Sequence, residues 1–179
     1  MKTIIVLILS LISTNVYGDT VMENFNSNPG DRWQFFTDQV MGGKSKGKLE
    51  FFSEENNHFA RMTGDVSIKN NGGFIQFRAD ILKKLDDNFK GIKLKVRGNN
   101  QNYFIHIRTT GSVLPWQYYD KEFFASNEWN EVELSFSDFK KSSTFMRKKF
   151  KASSIKTIGI VAYGREHKAK IEVSEISIY

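Results

Sequence analysis

Apolar and polar residues alternate along much of this chain, most clearly where Ile92, Leu94 and Val96 are separated by basic residues. This period of two is typical of β-strands that turn one face towards a core. The predicted strands cover residues 49–52, 58–66, 73–79, 92–96, 103–107, 132–136, 155–163 and 169–178. Turn residues rich in Gly, Asn and Pro separate them. The pattern predicts an all-β fold, an antiparallel β-sandwich or jelly roll.

Two stretches depart from simple alternation. In the last strand, apolar residues hold odd positions up to Val173 and even positions from Ile176. A regular strand cannot point both sets inward, so a β-bulge is expected near Ser174-Glu175. Elsewhere, apolar residues spaced four apart predict one short helix over Asp80–Phe89, ended by Gly91.

The first eighteen residues resemble a secretory signal. Lys2 precedes an apolar run from Ile4 to Ile12, and within Val16-Tyr17-Gly18 the two positions that a signal peptidase reads carry small or short side chains. The run is far shorter than the roughly 20 residues that span a bilayer. We expect cleavage after Gly18, with residues 19–179 forming one exported domain in the periplasm or outside the cell; the alternative is retention as an anchor.

Composition limits the chemistry that the chain can support. It has sixteen Phe and no Cys, so an exported domain must gain its stability from apolar burial, and thiolate metal sites are excluded. No calcium-loop pattern is present either, and we predict neither a metal nor a cofactor.

The net charge of +6 is concentrated in one segment, residues 140–156, which contains no acidic residue. Its basic residues are Lys140, Lys141, Arg147, Lys148, Lys149, Lys151 and Lys156. The segment is either a solvated loop or a contact for an acidic partner or anionic lipid headgroups. Nucleic acid is not expected as a partner, because basic and aromatic residues are not interleaved elsewhere.

Catalytic motifs are weak. Residues 43–47 (GKSKG) match the G-x-S-x-G string, but that motif requires a helix after Ser45, and residues 48–52 are strand-like. The adjacent carboxylates Glu54-Glu55 and Asp86-Asp87 would point to opposite sides of a strand. The three histidines are scattered, and His106 is expected at the surface. We therefore predict no catalytic residue and a protein that is not an enzyme.

Three large aromatic residues, Trp116, Tyr118 and Tyr119, follow a turn-rich stretch at residues 111–115. They could form a flat platform for a sugar ring or a partner side chain, or they could cover the end of the core. The predicted ligand or partner contacts are Trp116, Tyr118, Tyr119, Arg108, Arg147, Lys148 and Lys149.

Two glycine motifs resemble a known family. Residues 33–45 (WQFFTDQVMGGKS) are similar to the W-x-x-x-x-D-x-V-M-G-G-x-S signature of the complex I intermediate-associated protein 30 family, and residues 70–78 (NNGGFIQFR) to its N-x-G-G-F-x-x-x-R block. Residues 94–103, 129–139 and 158–160 resemble later blocks. The structural-motif residues are Trp33, Asp38, Gly42, Gly43, Ser45, Asn71, Gly72, Gly73 and Arg78.

This resemblance implies a galactose-binding-like jelly roll and a non-enzymatic role. Mitochondrial relatives act as chaperones in complex I assembly, so the leading expectation is a protein partner, either an acidic surface or an assembly intermediate. The alternative is a carbohydrate-binding module acting on polysaccharide. The chain departs from the pattern at Gly98-Asn99-Asn100, where Gly-Asp-Gly is usual. A buried ion pair between Asp38 and Arg78, joining the two glycine blocks, is a further hypothesis.

Overall fold

Twelve strands form two antiparallel sheets that pack face to face around one core. The computed structural model describes residues 18–55 and 57–179, so the predicted signal, apart from Gly18, lies outside the described residues. The strands are β1 (Thr20–Glu23), β2 (Trp33–Thr37), β3 (Lys46–Glu54), β4 (Asn57–Val66), β5 (Phe74–Asp80), β6 (Gly91–Gly98), β7 (Gln101–Thr109), β8 (Tyr119–Ala125), β9 (Asn130–Ser135), β10 (Lys140–Lys141), β11 (Ile155–Tyr163) and β12 (His167–Ile178). Among residues 18–55 and 57–179, no helix is long and apolar enough to cross a membrane.

The strand order places most sequence neighbours in different sheets. The first sheet runs β3-β4-β12-β6-β9, and β1 pairs with the end of β12. The second sheet runs β10-β8-β7-β11-β5-β2. Because the chain crosses repeatedly between two antiparallel sheets, the predicted β-sandwich of jelly-roll type is confirmed.

Alternation builds the core as the sequence predicted. Ile92, Leu94 and Val96 of β6 are fully buried, and Ile105 and Ile107 of β7 face them from the second sheet. Burying each such side chain contributes about 1.5–3 kcal/mol. The intervening residues point to the two outer faces of the sandwich.

The predicted bulge is present in β12. Its register against β6 shifts between Val173 and Glu175, which lets Ile171 and Val173 point inward before the bulge and Ile176 after it. The parity change in the sequence therefore has its expected structural cause.

The predicted helix over Asp80–Phe89 is wrong. Asp80 ends β5, and residues 81–90 form an irregular loop. Ile81, Leu85 and Phe89 pack partly buried against the core, so their spacing reflects three inward anchors of a loop. Asp86 turns the chain by accepting a hydrogen bond from the amide of Asn88 at 2.9 Å, which favours a turn over a helix.

Candidate functional site

The two glycine blocks meet around the buried carboxylate of Asp38. Its Oδ1 accepts a hydrogen bond from the amide of Ser45 at 2.9 Å, and its Oδ2 accepts from the Ser45 hydroxyl at 2.5 Å and from the Gly73 amide at 2.6 Å. Burial alone would raise the pKa of Asp38, but these hydrogen bonds outweigh it and lower the pKa below its usual value. Asp38 is therefore an ionised structural anchor.

Four glycines make room for this anchor. A Cβ on Gly43 or Gly72 would collide with the Asp38 carboxyl group. Gly42 and Gly73 adopt φ angles of 88° and 135°, which side chains rarely tolerate. Asn71, at φ 57°, completes the second turn.

The hypothesis of an Asp38–Arg78 ion pair is wrong. The charged carboxylate of Asp38 is stabilised by hydrogen bonds from amides and a hydroxyl of the turns around it. Arg78 lies on the outer face of β5, where its guanidinium stacks 4.2 Å above the ring of Phe36. Turn amides aimed at one carboxylate replace the arginine that the sequence suggested.

Ser45, the serine of the G-x-S-x-G string, is fully buried. Its hydroxyl donates to Asp38 and accepts from the amide of Ser67 at 2.9 Å. The following residues form β3, so this serine ties three segments together in the core.

Trp33 anchors the first strand of the signature. It is buried, and its Nε1 donates to Oε2 of Glu23 at 2.8 Å, while Arg32 also binds Glu23. The role of Glu23 was not predicted from the sequence, because no local pattern links it to Trp33.

The outer face of the first sheet is closed by an ionic network. Glu172 on β12 is almost fully buried between two arginines that lie opposite it on the neighbouring strands. Its Oε1 accepts from Nε of Arg61 at 2.6 Å, and its Oε2 accepts from Nε of Arg97. Glu54 contacts both guanidinium groups from the edge.

Aromatic rings complete this closed face. Arg61 lies 4.1 Å above the ring of Phe52, and Arg97 lies 4.8 Å above the ring of Trp129. Phe59 is fully buried beneath them, although its strand parity points it outward. This surface is thus a second small core, which we call the closed face. It consists of Phe52, Phe59, Arg61, Arg97, Trp129 and Glu172.

The outer face of the second sheet differs. The register aligns Arg78, Gly159, His106 and Asp120 in one row across β5, β11, β7 and β8. We call this surface the open face. It consists of Gln76, Arg78, Asn102, Phe104, His106, Arg108, Asp120, Glu122, Phe124, Gly159 and Tyr163.

Aromatic rings gather on the open face. Tyr163 is 41% exposed and Phe124 is 51% exposed. Tyr163 packs edge-on against Phe104 at 5.5 Å and against His106 at 5.8 Å between ring centroids. Tyr118 stacks on His106 at 4.0 Å. Of these residues, the sequence placed only His106 at the surface, and it gave no sign that the rings lie together.

His106 is on the outer side of its strand as expected, but it is covered by neighbouring rings. Burial lowers the pKa of His106 to about 3, so the imidazole is neutral at pH 7. Its Nε2 is buried, and in the described part of the chain it has no hydrogen-bond partner. Nε of Arg108 is also buried and has no hydrogen-bond partner among the described residues, although Nη2 of Arg108 donates to the carbonyls of Ser112 and Leu114.

The predicted aromatic platform is not formed by its three rings. Tyr119 is buried in the core and donates its hydroxyl hydrogen to the carbonyl of Arg147 at 2.9 Å. Tyr118 belongs to the half-buried stack on His106, and Trp116 is 60% exposed on the preceding loop. Lys148 and Lys149, like Arg147, are exposed on the loop that follows β10.

Among residues 18–55 and 57–179, no three His, Asp or Glu side chains lie close enough together to form a metal site. A pocket at the end of the open face is lined by residues 100–102, Phe124, Arg165 and His167. A further pocket lies on the first sheet beside the closed face and is lined by residues 93–95, 129–131, Glu175 and Ser177. Of these accessible surfaces, the open face is the one that carries exposed aromatic rings on neighbouring strands.

The fold has relatives among solved structures. The family 11 carbohydrate-binding module from Clostridium thermocellum, in complex with a β-1,3-1,4-mixed-linked tetrasaccharide, superposes with a TM-score of 0.74 and 13% identity, covering 90% of this chain and 95% of that one. The family 30 module of the cellulosomal cellulase Cel9D-Cel44B of Clostridium thermocellum gives 0.55 and 11%, covering 76% and 90%. The agarase AgWH50C gives 0.61 and 10%, covering 90% of this chain and 24% of the agarase.

No curated protein sequence matches this chain. A family description does match: that of Complex I intermediate-associated protein 30, over residues 23–173. This range contains both glycine blocks, the Asp38 anchor and the open face. The resemblance noted in the sequence is confirmed, and the chain belongs to the Complex I intermediate-associated protein 30 family.

Proposed function

We propose that this protein is a non-catalytic binding module that holds a polysaccharide chain on the open face. The observation that carries the proposal is the presence of exposed rings beside polar groups without partners. Tyr163 and Phe124 offer ring surface, and His106 Nε2 lies buried next to Tyr163 without a partner in the described residues. A sugar ring presents an apolar face and a rim of hydroxyls, which matches both features.

The protonation state of His106 fits a hydroxyl ligand. With a pKa of about 3, the imidazole stays neutral at pH 7, so an uncharged ligand on the open face meets no charge at this position. Asp120 and Glu122 on β8 and Gln76 on β5 add further acceptors and donors on the same face. Asp120 is half-buried, and this burial raises the pKa of its carboxyl group.

Gly159 supplies the floor of the site. It sits on the central strand between Arg78 and His106, where any side chain would stand in the middle of the open face. Glycine in a strand interior often marks a place where a ligand approaches the backbone. The tetrasaccharide held by the family 11 module supports a sugar ligand for this related fold.

Affinity electrophoresis in gels with mixed-linkage β-1,3-1,4-glucan or agar polysaccharide, followed by calorimetry with the matching oligosaccharides, tests this proposal. We expect Tyr163→Ala and Phe124→Ala each to weaken binding about tenfold, because each removes stacking area worth roughly 1–2 kcal/mol. Phe145→Ala, which removes an exposed ring elsewhere, is the matched control and should bind normally. Failure of the wild type to bind any polysaccharide tested, or unchanged binding by Tyr163→Ala, would overturn the proposal.

A second candidate function is assistance in the assembly of a protein complex, which the family membership supports. Its contact would be an acidic surface facing Arg147, Lys148 and Lys149, which are exposed together. Reversing these three charges should remove a stoichiometric partner recovered by cross-linking from the native cell envelope. Recovery of the same partner by the reversed variant would exclude this contact.

We also propose that the chain is exported before it acts. The apolar run of residues 4–12 and the short side chains before Asp19 support this step. Fractionation of the producing cell, with N-terminal sequencing, should find a chain that begins at Asp19 outside the cytoplasm. A full-length chain in the cytoplasm would contradict the proposal.

A further inference from the structure

Two loops at one end of the sandwich hold large apolar side chains in water. The loop of residues 110–118 carries Val113, which is 81% exposed, and Trp116, and the loop of residues 142–151 carries Phe145, which is 93% exposed. Single exposed apolar residues are common on protein surfaces. Val113, Trp116 and Phe145, however, belong to two loops that touch each other, so they form one surface, which we call the loop end.

Hydrogen bonds join the two loops. The hydroxyl of Ser142 donates to the carbonyl of Trp116 at 2.7 Å and accepts from the amide of Tyr118 at 3.0 Å. The amide of Ser142 donates to the carbonyl of Tyr118 at 2.9 Å. These hydrogen bonds therefore fix the position of Trp116 relative to the start of the loop of residues 142–151.

The base of the second loop is anchored, while its tip is not covered. Met146 is buried, and the carbonyl of Arg147 accepts the hydrogen bond from the Tyr119 hydroxyl. Nζ of Lys141 donates to the carbonyls of Thr144 and Met146, at 2.9 and 3.0 Å. Phe145 thus projects from an ordered turn and has no place in the core.

The exposed charges on the two loops of the loop end are all basic, and the neighbouring loop adds an acidic residue, Asp87, which pairs with Lys151 at 3.7 Å. Arg147, Lys148 and Lys149 directly follow Phe145 and are exposed, and they form no ion pair with any described residue. The stretches 109–119 and 139–156 contain no Asp or Glu. Nearby, Leu82 is almost fully exposed beside Lys83 and Lys84, on a loop bonded to the carbonyl of Lys156.

From this arrangement we propose that the loop end docks on an anionic phospholipid bilayer. Trp116 and Phe145 enter the interface, while Arg147, Lys148 and Lys149 lie over the headgroups. Aromatic side chains favour the membrane interface, and basic residues near it are attracted by anionic lipids. A bilayer can bury projecting apolar side chains and attract a cluster of cations at the same time, without a matched protein pocket. This surface is separate from the open face and does not depend on the function proposed there.

Vesicle co-sedimentation tests the docking. The chain is mixed with vesicles of phosphatidylcholine alone or with equal parts of phosphatidylglycerol, at low and high salt. We expect binding to the mixed vesicles only, weakened by salt. Reversing the charges at Arg147, Lys148 and Lys149 together should lower partitioning by about a hundredfold or more. The double variant Phe145→Ser, Trp116→Ser should lower it at least about tenfold.

Two matched controls use the opposite end of the sandwich. Reversing Lys44, Lys46 and Lys69 changes net charge by the same amount, and Val40→Ser with Met41→Ser removes two equally exposed apolar residues. Both controls should partition within about twofold of the wild type. All variants carry the same N-terminus, so its contribution cancels, and unchanged melting temperatures check the fold.

Two results would overturn the proposal: equal binding of the wild type to neutral and mixed vesicles, or an equal loss in the controls. A loop end that instead contacts an acidic protein would give no vesicle binding while cross-linking depended on Arg147, Lys148 and Lys149. Polysaccharide binding by the loop-end variants should remain normal, which separates failure of this inference from failure of the open-face proposal.

Discussion

The two outer faces of the sandwich both stack arginines on aromatic rings, but only one face completes their interactions. On the closed face, Arg61 and Arg97 share the carboxylate of Glu172. On the open face, Arg78 lies over Phe36 and forms no ion pair among the described residues. The buried Nε2 of His106 also lacks a partner there. A surface whose polar groups are satisfied contributes to stability, whereas one that keeps unsatisfied donors and exposed rings is suited to a ligand.

Glu172→Ala should give the largest effect, because it breaks the closed face. It leaves Arg61 and Arg97 adjacent and half-buried, with only the more distant, exposed carboxylate of Glu54 beside them. We expect a loss of about 3–5 kcal/mol in the free energy of unfolding, measured by urea denaturation. Glu175→Ala, on the same strand but outside the network, is the control and should cost less than about 1 kcal/mol. A loss below about 1 kcal/mol for Glu172→Ala would contradict the account of this face.

Asp38→Ala compared with Arg78→Ala separates a completed interaction from an open one. Without the Asp38 carboxylate, the amides of Ser45 and Gly73 lose their acceptor, so we expect a loss of about 2–4 kcal/mol in unfolding free energy. Arg78→Ala removes only its contact with Phe36 and should cost about 1 kcal/mol or less. Equal losses in urea denaturation would restore the idea that the two residues form a pair.

Gly159→Val tests the open face from its centre. A Cβ at this position would meet Oε1 of Gln76 at 3.3 Å and Cβ of Arg78 at 3.4 Å, a tight but flexible surrounding. We expect a change of about 1 kcal/mol or less in stability, since Val suits a strand, with at least about a tenfold loss of polysaccharide affinity by calorimetry. Wild-type affinity in a folded Gly159→Val variant would place the ligand elsewhere.

The sequence predicted the strands and the bulge because strand parity is a local property that a few neighbouring residues determine. It could not distinguish the two outer faces. Glu172 is 111 residues from Arg61 and 75 from Arg97, so only the tertiary fold brings the network together. For the same reason, the outward position of His106 was predicted from its own strand, but the aromatic cluster that it forms with Phe104 and Tyr163 was not.

Two errors have physical causes of the same kind. The helix over Asp80–Phe89 was predicted from apolar spacing, which a loop with three inward anchors reproduces. The Asp38–Arg78 pair was inferred from the places of both residues in the two glycine motifs, without the amide donors that tight turns aim at a buried carboxylate. The glycines around Asp38 have two structural reasons: a Cβ on Gly43 or Gly72 would collide with the carboxyl group, and Gly42 and Gly73 have positive φ angles.

The last expected effect is the pH dependence that His106 gives to the stability of the folded protein. Its pKa is about 3 in the folded protein and about 6.5 in the unfolded chain, so between these values the unfolded state binds more protons. Stability should therefore fall as the pH decreases from about 6.5 towards 4, and His106→Gln should flatten this slope in melting curves. His167, whose pKa burial also lowers, supplies the comparison variant His167→Gln, which should flatten it less. The lowered pKa of Asp38 acts only at lower pH, where protonation removes its stabilising hydrogen bonds.

Because His106 stays neutral in the folded state, polysaccharide affinity should be constant between about pH 7 and 5 while stability declines. An affinity that changes in parallel with stability would mean that the imidazole titrates on the exposed surface, and the open face would then lack the buried neutral ring that distinguishes it.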